Sequence, residues 1–344
     1  MNSFRPHLLL LAAIVAAIAL LVFAWQAPRL AAAGWLIALV YVSAFPLGSL
    51  ALLMIHRLTG GRWGESLAPV LEPMALGTPL IVIFLLLLLP GLSLVYPWQH
   101  APRDVGAIYL NFTSFTARAL IALVGLSIFA IWLTRVHAAG VLPAAGGLLF
   151  YAIVISAIPR DWFLSAEPPF ASTSFGASVA VTQMMAALAL AAILNPGRIE
   201  RRSLPDLGGL LLALTLAITY IDFMAVLVIW YGDLPHKVFW FAERIKEPWR
   251  ALAVATFILA SFLPVVLLLF ARVRASRRRL RFVGGLILVG LALYDIWLLA
   301  PAFGAISIAA AALALVVTAG LIGAYIVSGW HEAIARYWSP SDGG

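Results

Sequence analysis

The sequence predicts an all-α polytopic membrane protein of about ten transmembrane helices, and three observations predict it. Hydrophobic residues fill 64% of the 344 positions, charged residues only 10%, and mean hydropathy is +1.05. Soluble domains carry roughly 25% charged and 45–50% apolar residues, so the excess apolar surface here has only lipid to face. The apolar residues also run continuously, in stretches of about 20 that match a hydrocarbon core of about 30 Å. They do not alternate, which excludes a membrane β-barrel.

The first stretch, 8–25, follows Arg5 and exceeds the roughly 7–15 residues of a cleaved leader's apolar core, so it reads as a retained helix. Helix 2 covers 35–56. Residues 57–78 mix charged and apolar residues and read either as an interfacial amphipathic helix or as a plain connector. Helices 3 to 6 cover 79–97, 111–135, 141–159 and 172–194, and helices 7 to 10 cover 205–231, 249–271, 281–300 and 306–330. Pro143, Pro205 and Pro248 mark helix starts, where a missing N–H costs least. Pro46, Pro90 and Pro264 fall inside spans and predict kinks, which neighbouring helices satisfy in a membrane.

Ten crossings put both termini on one side. Of the 22 Lys and Arg residues, fourteen fall on that side, seven on the other, and Arg118 inside a span. The bias predicts that both termini are cytoplasmic. It also accounts for the net charge of +8 without any nucleic-acid partner. The Arg272–Arg281 cluster is the strongest contribution, and it could also meet anionic lipid head groups. The opposite loops combine carboxylates with aromatics, as in Asp161-Trp162 to Glu167 and Trp230-Tyr231-Gly232-Asp233, which suits a polar pocket rim or a docking face.

With no cysteine, the chain has no disulfide, thiolate cluster ligand or covalent haem c attachment. A haem held within a bundle needs facing histidines at membrane depth. His7, His56, His100, His137, His236 and His331 all fall in loops or at helix ends, so no redox centre is expected in this chain. Arg118, Asp222 and Asp295 are the ionisable residues inside spans, and each is a functional candidate because burying it in lipid is costly. Thr215, Thr219 and Asp222 share a helix face, and Gln183 of helix 6 could extend that polar line. Arg118 and Asp295 lie at similar depth and could pair across the bundle. The set reads either as a structural pair with backbone-bonded threonines or as a relay that exchanges protons with a substrate such as a quinol. No nucleotide loop, metal motif or nucleophile triad is present; Gly60-Gly61 is too isolated to cradle phosphate.

Several segments in order carry a family resemblance. They are His56-Arg57-Leu58-Thr59-Gly60-Gly61-Arg62-Trp63, Tyr96-Pro97-Trp98, Asp161-Trp162 to Ser165, Glu167-Pro168, Ser172-Thr173 with Gly176, and Trp230-Tyr231-Gly232-Asp233-Leu234-Pro235. Over roughly 35–250 the chain resembles the ten-helix membrane subunits of alternative complex III, the quinol:cytochrome c oxidoreductase. It is most similar to the smaller of that complex's two such subunits, within the NrfD-like polysulfide-reductase superfamily. The resemblance implies two four-helix bundles, helices 2–5 over about 35–160 and helices 6–9 over about 172–300, with helices 1 and 10 flanking.

It implies a place in a bacterial inner membrane beside a sister NrfD-like subunit and iron–sulfur and haem c subunits. This chain would supply a quinone pocket or a proton path and bind no cofactor itself. Asp161 and Glu167 would sit at the outward end of the first bundle and Asp233 at that of the second. The chain departs from the family after Glu167-Pro168, where Pro169-Phe170 replace a histidine and an aromatic. That departure allows a bundle kept for assembly or proton conduction, with quinol oxidised in the sister subunit. A secondary transporter and a purely structural anchor for redox subunits are the rival readings.

Overall fold

Lipid offers no partner for backbone N–H and C=O groups, so long apolar runs close their hydrogen bonds internally as helices. In the computed structural model, residues 6–99, 108–136, 140–167, 172–194, 201–232 and 235–338 are described. They hold no strand, and ten of their helical spans are long and apolar enough to cross a membrane. The chain is an all-α, multi-pass membrane protein.

In chain order, α1 is Pro6–Gln26 and α2 is Pro28–Thr59, which starts ahead of the expected 35 because Pro28 and Arg29 open its first turn. Helix α3, Arg62–Ala75, settles the reading of 57–78: it is amphipathic, and Leu67, Val70, Leu71 and Met74 are buried in contact with α2, α8 and the C-terminal helix. Helices α4 (Thr78–Leu88) and α5 (Leu92–Val95) are separated by a tight turn at Leu89–Gly91, where Pro90 interrupts the ladder. Helix α6, Phe112–Arg135, is capped by Asn111, whose side-chain oxygen accepts from the Ser114 amide at 2.8 Å.

Helices α7 (Val141–Trp162), α8 (Phe175–Leu194) and α9 (Leu204–Tyr231) follow, then the short α10 (Pro235–Arg244). Helices α11 (Trp249–Thr256) and α12 (Leu263–Leu269) flank a π-helical turn at Phe257–Phe262. Pro264 offers no N–H to the carbonyl four residues earlier and its ring displaces it, so the helix widens there. Helices α13 (Ala271–Arg274), α14 (Arg277–Leu299) and α15 (Ser307–Trp338) complete the chain. Gly290 of α14 lets that helix lie against the π turn: a Cβ there would fall 2.6 Å from the Ala260 nitrogen.

Helices α2, α4, α6 and α7 pack as one ring, and α8, α9, α11–α12 and α14 as another. The rings join where α8 lies against α2, flanked by α7 on α8 and α14 on α2, while α15 lies along α2 and carries α1 outside it. Apolar side chains gain nothing by leaving lipid for each other, so close approach of small residues and buried polar bonds hold such helices together. Ala186, Ala187, Ala189, Ala191 and Ala192 give α8 that small surface, and all five are fully buried. Side chains then tie helix to helix through backbone carbonyls: Trp35 Nε1 donates to Phe84 O at 2.9 Å, and Tyr41 Oη to Leu288 O at 3.0 Å.

Candidate functional site

At the junction of the rings α2, α6, α7, α8 and α14 surround a narrow cavity that is open at its mouth. Its walls are mainly apolar, with Trp162, Phe163 and Phe175 among them. A few polar groups converge on it: Tyr41, Tyr151, Thr182, Gln183, Tyr294 and Asp295. Tyr151 Oη donates to Gln183 Oε1 at 2.7 Å, so the amide oxygen is engaged and a guest would meet Gln183 as a donor through its N–H groups. Tyr294 Oη donates to Asp222 Oδ1 at 3.3 Å, so Asp222 on α9 connects to the cavity wall. Asp295 faces the cavity without an ion pair among the described residues.

The expected pairing of Arg118 with Asp295 is corrected. Arg118 Nε donates to Asp161 Oδ2 at 2.8 Å instead, because α6 and α7 are neighbours in the first ring whereas Asp295 belongs to the second. The same guanidinium donates to Tyr109 O at 2.8 Å and Ser114 Oγ at 2.7 Å, and lies 3.7 Å from the centre of the Tyr109 ring. Burial, and then the negative charge of Asp161, push the Tyr109 hydroxyl above its ordinary range.

Around this pair two segments quoted for the family resemblance meet. Tyr96 Oη donates to Trp162 O at 3.0 Å and Trp98 Nε1 to Ser165 Oγ at 3.1 Å. Thr215 and Thr219 donate to carbonyls of their own helix, each at 2.7 Å, as the structural reading of them expects. Gln183 turns to Tyr151 and does not extend their line.

Glu167 meets a residue that sequence reasoning counted only as a topogenic charge. Arg244, with 1% of its side chain exposed, donates through Nη2 to Glu167 Oε2 at 2.5 Å and to Leu298 O at 2.7 Å. Its Nη1 donates to Trp240 O at 3.1 Å, and its guanidinium lies 3.5 Å from the Trp240 ring centre. Burial lowers its pKa below the usual arginine value, and the Glu167 carboxylate beside it works the other way. The available signal was the helical spacing of Trp240 and Arg244, which puts an aromatic under a cation.

Asp233 lies outside the described residues, as do His100 and His137. His56 contacts Gly61 O at 2.9 Å and stacks edge-on to Trp63, closing the end of α2. Among the described residues no three histidine, aspartate or glutamate side chains gather as a metal-ligand set.

No family model matches this chain, and no curated protein matches it.

What the cavity can do follows from its own groups. Aromatic and aliphatic walls accept a flat apolar body. The Gln183 amide can donate to a carbonyl oxygen, and the Asp295 carboxyl can exchange a proton with a hydroxyl. An apolar pocket with a few convergent polar groups is the usual form of a small-molecule site.

Proposed function

We propose that this chain is a membrane subunit of a quinol-oxidising respiratory complex of the alternative complex III type, with the junction cavity as its quinone pocket. The observation that carries the reading is an unpaired carboxyl, Asp295, sharing an apolar cavity with the Gln183–Tyr151 pair. A quinol head group is flat and apolar with two hydroxyls, and it needs what these groups offer: one donor and one proton acceptor. On oxidation it releases two protons and two electrons. The electrons pass to iron–sulfur and haem groups on partner subunits, and this chain binds no redox centre. Asp295 takes the two protons in succession, handing on the first before it accepts the second, and Tyr294 with Asp222 extends the path by which they leave along the second ring. With both termini cytoplasmic, as the arginine bias has it, Asp161, Glu167 and Arg244 face the outer side of a bacterial inner membrane, where the partner subunits dock.

A transporter would set its substrate on broken helices near mid-membrane. The broken segments here, Leu89–Gly91 and Phe257–Phe262, do not line the cavity, which favours the quinone reading. The test is Asp295→Asn and Asp222→Asn in the complex purified from its own membrane. Loss of a proton acceptor at the substrate predicts quinol oxidation slowed about 10²-fold or more in Asp295→Asn. Full turnover with unchanged proton release in both variants would sink the proposal. Purification as a lone, colourless protein without haem-bearing partners would sink the complex.

A further inference from the structure

The cavity is bracketed by two side chains that tie the rings together, and each bonds a carbonyl of α14. Tyr41 of the first ring reaches Leu288 O at 3.0 Å. Ten residues on, about 15 Å by the rise of a helix, Leu298 O accepts from Arg244 at 2.7 Å. The α14 residues that line the cavity, Leu291, Tyr294, Asp295 and Leu298, lie within this interval. Arg244 also holds Glu167, which follows the α7 wall of Trp162 and Phe163. One guanidinium therefore ties the end of the first-ring wall to the end of the second-ring wall.

The contacts of Arg244 continue inward. Its guanidinium lies on Trp240, Trp240 meets Trp297 edge-on at 5.6 Å, and Trp297 stacks on Tyr294 at 6.2 Å. Tyr294 is the residue that joins Asp222 to the cavity. Arg244 and Asp161 are the two charged side chains buried among the described residues. A buried cation is tolerated where its charge is paired and its donors are engaged. Nη1 and Nη2 are bonded while Nε has no partner among the described residues, and at the last turn of α14 Nη2 satisfies a carbonyl that the helix itself leaves unpaired.

We propose that Arg244 is a positioning residue, a clamp that shuts one end of the cavity and holds the Tyr294–Asp295 wall in register with the first ring. The clamp's role in substrate handling rests on the quinone-pocket reading, but its closure is testable without a ligand. The chain has no cysteine, so single reporter thiols can be placed freely. Ser43→Cys puts one in the cavity wall, and Ser127→Cys puts one in a buried position of α6 away from the cavity. Labelling by N-ethylmaleimide is timed in the full chain in detergent, with Arg244 intact or replaced by Met. Losing charge-assisted bonds predicts labelling of Ser43→Cys about tenfold faster or more, with Ser127→Cys unchanged.

Glu167→Gln keeps the shape and removes the partner charge, and predicts a smaller rise, about threefold; it decides the matter if Arg244→Met does not fold. Equal labelling with and without the clamp in both variants overturns the proposal. So does an equal rise at both reporters, which marks general loosening. Decylubiquinone should slow labelling of Ser43→Cys in the clamped protein. Its failure to do so would overturn the pocket reading and leave the clamp to be judged by the rates alone.

Discussion

Replacing Gly48 by alanine tests whether the two rings meet as closely as the structure shows. A Cβ at Gly48 would stand 2.0 Å from the Gln183 carbonyl oxygen, 2.3 Å from its carbon and 2.9 Å from the Met184 nitrogen. Atoms of this kind attract only near about 3.5 Å, so α2 and α8 must part by about 1 Å or more. The obstacle is backbone, which cannot rotate aside. Alanine gains about 1 kcal/mol over glycine in a helix interior, while overpacking costs typically about 1–3 kcal/mol. The cost belongs at the upper end here, leaving a net loss of about 1–2 kcal/mol. Gly146 of α7 has nothing within 4 Å of its would-be Cβ, so Gly146→Ala should keep the propensity gain and be neutral to stabilising. Thermal unfolding in detergent, followed by helix circular dichroism, should place Gly48→Ala a few degrees below the parent and Gly146→Ala at or above it. Because Gln183 lines the cavity, Gly48→Ala should also weaken quinone binding if the proposed pocket is correct. If Gly48→Ala proves as stable as Gly146→Ala, the close seam is wrong.

Two further outcomes follow from the first ring. Arg118→Met strands the Asp161 carboxylate, which is only 1% exposed; breaking such a pair costs about 3–5 kcal/mol when fully buried and about 2–4 kcal/mol here, with Arg118 partly exposed. Arg118→Met/Asp161→Leu should recover most of that loss in denaturant unfolding, and a double variant as unstable as the single one would refute the pairing. Tyr109 has a folded-state pKa above its usual 10, so its contribution is fully present below pH 10 and is lost as pH rises through the folded value. Tyr109→Phe should therefore flatten the fall of stability above about pH 10, and an unchanged alkaline limb would refute the assignment.

The helices were legible because each is a local property: continuous apolar length, proline punctuation and arginine at the ends. The spans differ most from expectation at Pro28, where Arg29, counted as loop, begins a helix, and at the last helix, which runs to Trp338 instead of ending at 330. The shared face of Thr215, Thr219 and Asp222 was legible from helical spacing, and so was the bonding of the threonines to their own backbone. Partner choice was not legible. Arg118 and Asp295 sit at similar depth, yet depth is a coordinate along the helix and pairing depends on which helices are neighbours. Gln183 shows the same limit: its face was open from sequence, and only the position of Tyr151 on the adjoining α7 decides it. Arg244 was hidden by composition, since a lone arginine in an outward loop looks like a topogenic charge until α10 folds its aromatic face under it.

The cavity can persist because the groups that hold the rings do not run its length. Where α2 meets α8, Gly48 brings backbone onto backbone and leaves no room. Where α14 faces α2 and α7, the joining groups are long side chains: Tyr41 reaches Leu288 O from α2, and Arg244 of α10 holds Leu298 O on one side and the Glu167 carboxylate beyond α7 on the other. In water such a gap between apolar walls would tend to close, because burying its surface is favourable. In a membrane the walls gain little by leaving lipid, so spacing is set by the struts. A tyrosine and an arginine are long struts: losing the Arg244 bonds should open the end of the space that it shuts, and losing the Tyr41 bond should unseat the wall beside Asp295. On the proposed quinone reading, substrate access and proton exchange at Asp295 would then depend on the same two bonds that keep the rings together.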